Sequence, residues 1–172
     1  MTDADRFEVF VREYQDMVFA TAVRLLGRAS DAEDVSQTVF LRAFQRFAEV
    51  GGSPTAAGWL KTVTTNLCLN HLTRYRARWQ FFSEMEPADG GRPLESMLVA
   101  AAGTADDSAD SDRAEGLEAA LRHLPDHQRV PLVLFHFEDR SYQDIATMLG
   151  VSLGKVKTDI HRGREKLRRA LA

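Results

Sequence analysis

Hydrophobic positions in the first part of the chain recur every three or four residues, which predicts amphipathic helices. The first such run covers about residues 6–26 and is closed by Gly27, a residue type that commonly ends helices. A second run starts at Ser30, and the spacing from Ser30 to Glu33 is that of a capping box. This second helix should end near Val50, because two glycines and a proline follow.

A third helix is predicted to start around Thr55, and it could continue as far as Trp79. The next segment, residues 83–112, has no sustained periodicity, and it contains Gly90-Gly91, two prolines and a cluster of aspartates. Such a composition cannot bury enough apolar surface to fold by itself. We therefore expect residues 83–112 to be a flexible acidic tether.

Periodicity returns at Arg113 and predicts four more helical segments. Pro125 favours the start of a new helix, since proline is well tolerated in the first turn. Ser141 is placed to cap a short helix that Gly150 ends, and Ser152 is placed to cap the last helix. No segment predicts a strand. The expected fold is all-α, with small helical domains at 1–82 and 113–172 joined by the linker 83–112.

The distribution of charge supports this division. The net charge of the 172-residue chain is −3. Residues 1–79 have 10 basic and 9 acidic side chains, residues 80–116 have 2 and 9, and residues 117–172 have 10 and 7. The acidity is therefore concentrated around the linker, and the last domain is basic, as expected of a module that binds nucleic acid.

Features of the sequence also predict the compartment. The N-terminus lacks a basic-then-apolar signal pattern, and no apolar stretch is long enough to span a bilayer. The single cysteine, Cys68, cannot form an internal disulfide and is expected to be an inert buried thiol. A cytoplasmic protein without membrane insertion is expected.

The two helices around Gly150 form the strongest local pattern, a helix-turn-helix. If Val156 and Ile160 face inward, six polar side chains of the last helix are predicted to project outward. These are Lys155, Lys157, Thr158, Asp159, His161 and Arg162. They could neutralise phosphates and contact base edges, although a solvated basic helix face would have the same composition.

Two other helices have both an ordinary and a functional interpretation. The acidic start of the second helix, Asp31 to Asp34, is what the helix dipole favours in any helix. The third helix combines Trp59 with polar residues and with Arg74, Arg76 and Arg78. This mixture suits single-stranded DNA, but Trp59 could equally belong to the core.

The sequence contains little that suggests catalysis. It has neither a glycine-rich phosphate loop nor a nucleophile elbow. His123 and His127 have the i,i+4 spacing of metal ligands on a helix, but Pro125 between them should break that geometry. We expect no enzyme activity, no metal and no cofactor.

Taken together, these segments resemble the extracytoplasmic-function (ECF) sigma factors of bacterial RNA polymerase. Residues 31–44 are similar to the second conserved region of the family, and residues 59–67 with the basic stretch after them resemble its promoter-melting helix. The segments similar to its fourth region are Leu124–Arg129, Ser141–Ala146, Leu149–Ser152 and Arg162–Arg168. The resemblance covers nearly the whole chain outside the linker.

The resemblance implies a role for each surface. The second helix would bind the coiled coil of the largest polymerase subunit through Asp31, Asp34, Gln37, Thr38 and Leu41. The third helix and the loop before it would bind the non-template strand of the −10 element, where the family flips a base into a pocket. The residues implied there are Ser53, Trp59, Lys61, Thr62, Thr65, Asn66, Asn70, Arg74, Arg76 and Arg78.

The last domain would bind the β flap of the polymerase and read the −35 element as duplex DNA. The residues implied are Ser152, Lys155, Lys157, Thr158, Asp159, His161 and Arg162. The chain departs from the family at Lys155 and Asp159, where threonine and arginine are usual. Asp159 could accept a hydrogen bond from cytosine N4 or pair with a neighbouring cation. Members of the family are commonly held inactive by an anti-sigma factor, so such a partner is a candidate here.

Two alternatives remain at this point. A helix-turn-helix regulator that acts without polymerase would bind a double-stranded site by itself, but it would leave the second helix unexplained. A small metal-dependent enzyme using His123 and His127 would hold metal in stoichiometric amount after purification.

Overall fold

The computed structural model describes residues 1–73 and 109–172, and for 109–112 it describes the backbone alone. The chain divides into two compact units, Met1–Arg74 and Tyr75–Ala172. The described residues form eight α-helices and contain no strand, which confirms the all-α expectation for them. Within these same residues, no helix is long and apolar enough to cross a membrane. Most of the predicted tether, 83–108, lies outside the described residues.

The first unit is built from α1 (Asp3–Leu26), α2 (Ala29–Gln45), the short α3 (Phe47–Val50) and α4 (Ala56–Thr73). Helix α1 starts earlier than the periodicity predicted, because Thr2 and Asp5 form a capping box. It ends as predicted at Gly27, whose φ of 76° is the left-handed conformation that glycine adopts at low cost.

The predicted capping box at Ser30 is wrong. Arg28 is the N-cap of α2, its side chain makes no capping hydrogen bond, and Ser30 already lies within the first turn. The reason is that Gly27 ends α1 and a single extended residue then suffices to restart the helix. The α2 helix also stops before Val50, because Arg46 leaves helical geometry with φ −116° and ψ 23°.

The break at Arg46 places Phe47 against the aromatic side chains of α1. The Phe47 ring meets those of Phe7 and Phe10 edge-on, at centroid distances of 5.4 and 5.5 Å. Gly51 packs tightly beneath the same ring, since a Cβ there would lie 2.5 Å from a Phe47 ring carbon. This aromatic packing, which no local pattern encodes, sets the course of the chain into the loop before α4.

Helices α1, α2 and α4 enclose the core of the first unit. Val18, Leu25, Val39, Leu60 and Cys68 are fully buried in it. Truncating a side chain such as Leu60 to alanine should cost about 2–5 kcal/mol, from lost burial and the cavity left behind. The core thus fixes which faces of α2 and α4 remain in water.

The second unit contains α5 (Ala109–His123), α6 (Asp126–His136), α7 (Tyr142–Leu149) and α8 (Leu153–Leu171). Helix α5 starts four residues before the predicted Arg113. The predicted caps of α7 and α8 are confirmed, because Ser141 and Ser152 accept hydrogen bonds from the backbone N–H of Asp144 and Lys155.

The turn between α7 and α8 has the geometry of a helix-turn-helix. Gly150 closes α7 with φ 68°, and Ser152 starts α8 two residues later. Further along α8, Gly163 lies close to α6, where a Cβ would stand 3.0 Å from Leu132 Cδ1. These two glycines allow α8 to pack closely against its neighbours, which fixes the side that it turns outward.

Candidate nucleic-acid and partner interfaces

The outer face of α2 is exposed and polar. Asp34, Gln37, Thr38 and Leu41 all lie in solvent, while Val35, Val39 and Ala43 on the opposite face are buried. This separation follows from helical spacing, which places residues three and four apart on one face. The face could therefore bind a partner without disturbing the core.

Asp31 differs from the rest of its predicted group. It is only partly exposed, and its Oδ2 lies 3.6 Å from Nε2 of His71 in α4. An ion pair there would need a protonated imidazole. Asp31 thus lies beside α4, whereas the other four predicted residues face outward.

An open apolar groove of about 690 Å³ runs between α1 and α2. Its residues are Phe7, Val11, Gln15, Asp16, Phe19, Glu33, Ser36, Gln37, Phe40, Leu41 and Phe44. Leu41 and Phe44 at its margin are 59% and 57% exposed, so the apolar lining of the groove extends onto the surface. The sequence interpretation missed the contribution of α1, which only a tertiary contact could reveal. The groove could accept an apolar ridge from a partner, with acidic groups at its edge.

A polar stripe runs along the exposed side of α4. Thr62, Asn66 and Asn70 are exposed and spaced by four residues, so they lie one above the other. Amide groups can both donate to and accept from a base edge. Trp59 and Lys61 beside them are partly exposed. Arg74, Arg76 and Arg78, predicted to continue this surface, lie outside the described residues.

Thr65 does not belong to that stripe. It is buried to 2% exposure, on the side of α4 that packs into the core. Its position one residue before Asn66 rotates it about a quarter turn away from the exposed face. The prediction that Thr65 contacts DNA is therefore corrected: it is a core residue.

The loop before α4 is held by its own side chains. Ser53 Oγ lies 2.8 Å from Thr55 Oγ1 and accepts a hydrogen bond of 3.2 Å from the backbone N–H of Thr55. These hydrogen bonds stabilise the conformation of the short loop next to the start of α4. Ser53, predicted to bind DNA, is partly exposed there.

The exposed face of α8 is basic and polar in its first three turns. Lys157, Thr158, His161 and Arg162 are exposed, as is Ser152 at the cap. These residues lie in the first turns of the second helix, which is the part of a helix-turn-helix that contacts base edges in the major groove. Leu153, 39% exposed in the first turn, was missed in the sequence. An apolar side chain at such a place can contact the methyl group of thymine.

The prediction that Asp159 projects outward is wrong. It is 3% exposed and shares the inner face of α8 with Val156, Ile160 and Gly163. Lys155 is mostly buried as well, and its ammonium donates a hydrogen bond to Asp159 Oδ2. Burial raises the pKa of the Asp159 carboxyl above its usual range, and the hydrogen bond from Lys155 opposes that shift. Asp159 follows Val156 by three residues, and this helical spacing already predicts the inner face. The charge of Asp159 suggested the outer face instead.

A second polar contact joins α6 to α8. Arg164 Nε donates a hydrogen bond of 3.0 Å to Nε2 of His136, and its guanidinium lies 5.5 Å from the centre of the Phe135 ring. A nitrogen that accepts a hydrogen bond belongs to a neutral imidazole. Partial burial, followed by the charge of Arg164, lowers the pKa of His136.

The histidines considered as metal ligands lie on different helices. His123 ends α5 and its Nδ1 lies 2.7 Å from the carbonyl of Ala119, whereas His127 is buried in α6. Across residues 1–73 and 113–172, no group of three or more His, Cys, Asp or Glu side chains is arranged to hold a metal ion.

Comparison with known proteins gives the same division of the chain. The family model "Sigma-70 region 2" matches residues 10–78, and "Sigma-70, region 4" matches residues 114–167. The two matches include α2 and α4 in the first unit and the helix-turn-helix in the second.

The similarity to curated proteins extends over nearly the whole chain. The chain is 38% identical to the ECF RNA polymerase sigma factor SigE of Mycolicibacterium smegmatis over 96% of its length, and it spans 62% of that longer relative. It is 32% identical to the RNA polymerase sigma-E factor of Streptomyces avermitilis, with 96% and 84% of the two chains covered. The ECF sigma factor SigW of Bacillus subtilis is 29% identical, with 98% and 90% covered.

The following structure is one of the solved structures with a similar fold. It is the sigma factor RpoE of Bartonella quintana in complex with the anti-sigma factor NepR. It superposes with a TM-score of 0.50 at 20% identity, and 96% of each chain is covered.

Proposed function

The chain belongs to the ECF sigma factors of RNA polymerase, and from that membership we propose that it binds core polymerase, recognises −35 and −10 promoter elements and promotes DNA melting. The single observation that supports this most strongly is the exposed face of α8, the second helix of the helix-turn-helix. Lys157, Thr158, His161 and Arg162 lie on that face, after the N-cap Ser152. Phosphate contacts from such a face set the register on the duplex, and a few base contacts specify the sequence.

The −35 duplex is the ligand we propose for the second domain, residues 113–172. Ser152, Lys157, Thr158, His161 and Arg162 would lie along the major groove, and the same domain would contact the β flap of the polymerase. Leu153 adds an apolar contact to that set. Each base contact is expected to contribute about 1–3 kcal/mol of discrimination.

The non-template strand of the −10 element is the ligand we propose for α4 and the loop before it. The stripe Thr62–Asn66–Asn70 offers donors and acceptors to unpaired bases, and Trp59 and Lys61 flank it. Extruding a base costs a few kcal/mol, which these contacts would offset. The protein would therefore open DNA with binding energy alone, as a transcription initiation factor rather than an enzyme.

Core polymerase is the partner we propose for the outer face of α2 and the adjoining groove. Asp34 and Gln37 supply polar contacts, and Leu41 supplies an apolar one at the groove margin. A coiled coil presents a ridge of side chains that fits an open groove of this kind. The segment between α4 and α5 would tether the two domains and raise the effective concentration of the second once the first is bound.

We further propose the cytoplasm as the site of action and an anti-sigma factor as an additional partner. A protein that covers the groove between α1 and α2 would prevent polymerase from binding there. Increasing core polymerase in a pull-down with such a partner should displace it competitively, and simultaneous binding of both at this face would contradict the idea.

Run-off transcription with bacterial core polymerase on a pool of the host's promoter fragments tests the proposal directly. We expect new, discrete start sites that depend on this protein and disappear when Asp34 and Gln37 are changed to alanine. Glu13→Ala, at an exposed position of α1 away from the groove, serves as the matched control. A protein that binds a duplex site without core and starts no transcripts would instead be a helix-turn-helix regulator.

A further inference from the structure

We propose that Asp159 is a positioning residue that holds Lys155 away from promoter DNA, so that Lys157 alone of the two lysines near the start of α8 neutralises a phosphate. The inference rests on the proposed binding of α8 to the −35 duplex. It gives Lys155 and Asp159 a shared role that neither residue would have if both faced the major groove of the DNA.

The two lysines differ sharply in their surroundings. The Lys155 side chain is 19% exposed and its Nζ donates to Oδ2 of Asp159, whose own side chain is 4% exposed. Lys157, two residues further along, is exposed. One ammonium is therefore matched by a carboxylate inside the protein, and the other points into solvent.

Helix stability does not account for this pair. An i,i+4 pair with the cation on the N-terminal side is the weaker of the two orders, and a cation near a helix start opposes the helix dipole. Burying the carboxylate adds a cost of its own, and Oδ1 of Asp159 has no hydrogen-bond partner among the described residues. We therefore attribute the Lys155–Asp159 pair to its effect on the charge that α8 presents to DNA.

Other charged groups do not replace Lys155 as the partner of this carboxylate. His127 from α6 and Arg162 from α8 act on Asp159 only through their charge, whereas Lys155 also donates a hydrogen bond. If Asp159 lost its charge, the flexible four-carbon stem of Lys155 would be free to move outward. The DNA-binding face would then gain one cation.

The gain would appear in the salt dependence of binding. Each phosphate that a protein neutralises on duplex DNA steepens the log–log dependence of affinity on salt by about 0.9. A lysine already paired with a buried carboxylate adds nothing to this slope. Burial also prevents Asp159 from accepting a hydrogen bond from a cytosine, so the pair does not select a base directly.

The test measures holoenzyme, made from the full chain and bacterial core polymerase, on a promoter fragment recovered by run-off transcription. Affinity is determined over a series of KCl concentrations for wild type, Asp159→Asn and the double variant Asp159→Asn/Lys155→Met. We expect Asp159→Asn to steepen the slope by about 0.9 and to bind about fourfold more tightly at about 0.2 M salt. The double variant should return to the wild-type slope. A fragment truncated to remove the −35 element should abolish the difference.

Lys157→Met separates failure of this inference from failure of the proposed function. It should make the slope shallower by about 0.9; if it does not, α8 does not bind the duplex as proposed. If Lys157→Met behaves as expected but Asp159→Asn leaves the slope unchanged, or weakens binding at one base pair only, the inference is overturned. Asp159→Leu is measured in parallel, because it also removes the charge at a buried site, and it decides by the same criterion if Asp159→Asn does not fold.

Discussion

Leu41 offers the clearest quantitative test of the face of α2 that we propose binds core polymerase. Its side chain is 59% exposed at the margin of the groove between α1 and α2, so binding of a partner would bury apolar area that is now in water. Complete burial of a leucine is worth about 1.5–3 kcal/mol. The exposed fraction therefore corresponds to about 0.9–1.8 kcal/mol, or a fivefold to twentyfold change in affinity for core polymerase.

Leu41→Ala should lower that affinity by up to this factor, measured by fluorescence anisotropy of the labelled protein titrated with core polymerase. Its thermal stability should stay within about 0.5 kcal/mol of wild type, because the side chain lies outside the core. The matched control is Val9→Ala, since Val9 is 54% exposed on α1 but does not line the groove. Equal weakening by the two variants, or unchanged binding by Leu41→Ala, would refute the argument.

Three further predictions concern the loop, the α4 stripe and pH. Gly51→Ala should destabilise the protein by about 1–3 kcal/mol in thermal melts, because its Cβ would lie 2.5 Å from the Phe47 ring, whereas Gly52→Ala, with open space around it, should be nearly neutral. Asn66→Ala should slow open-complex formation, followed by permanganate reactivity, without lowering Tm, since the side chain is exposed. Burial lowers the pKa of His136 in the folded protein below the value of about 6.5 that it has in the unfolded chain. The contribution of His136 to stability is therefore present above about pH 6.5 and is lost as the pH falls through the lower folded-state pKa. His136→Gln should flatten the dependence of Tm on pH over this interval.

Local chemistry explains which parts of the fold could be predicted. Gly27 and Gly150 end helices because only glycine adopts positive φ without strain, and Ser141 and Ser152 cap helices with their own hydroxyl groups. These interactions involve residues within four positions of one another. They can be recognised in the sequence without knowing what packs on the helix.

The errors arose where another feature of the molecule overrode a signal in the sequence. The spacing from Ser30 to Glu33 matches a capping box, yet the turn at Gly27 starts α2 before it. Thr65 is polar and follows exposed Thr62 by three residues, but the core of α1, α2 and α4 covers it. At Ser30 the neighbouring turn overrode the capping pattern, and at Thr65 packing overrode the residue type.

The sequence by itself determined the helical class, the two helix-turn-helix caps and the outward face of α2, because periodicity and capping depend on neighbours along the chain. Only the tertiary structure decided that α1 completes an apolar groove beside α2, and that Lys155 is mostly buried with the Asp159 carboxylate. Both features depend on how helices pack on one another. Helical spacing places Asp159 on the inner face of α8, but only packing decides how deeply Asp159 and Lys155 are buried.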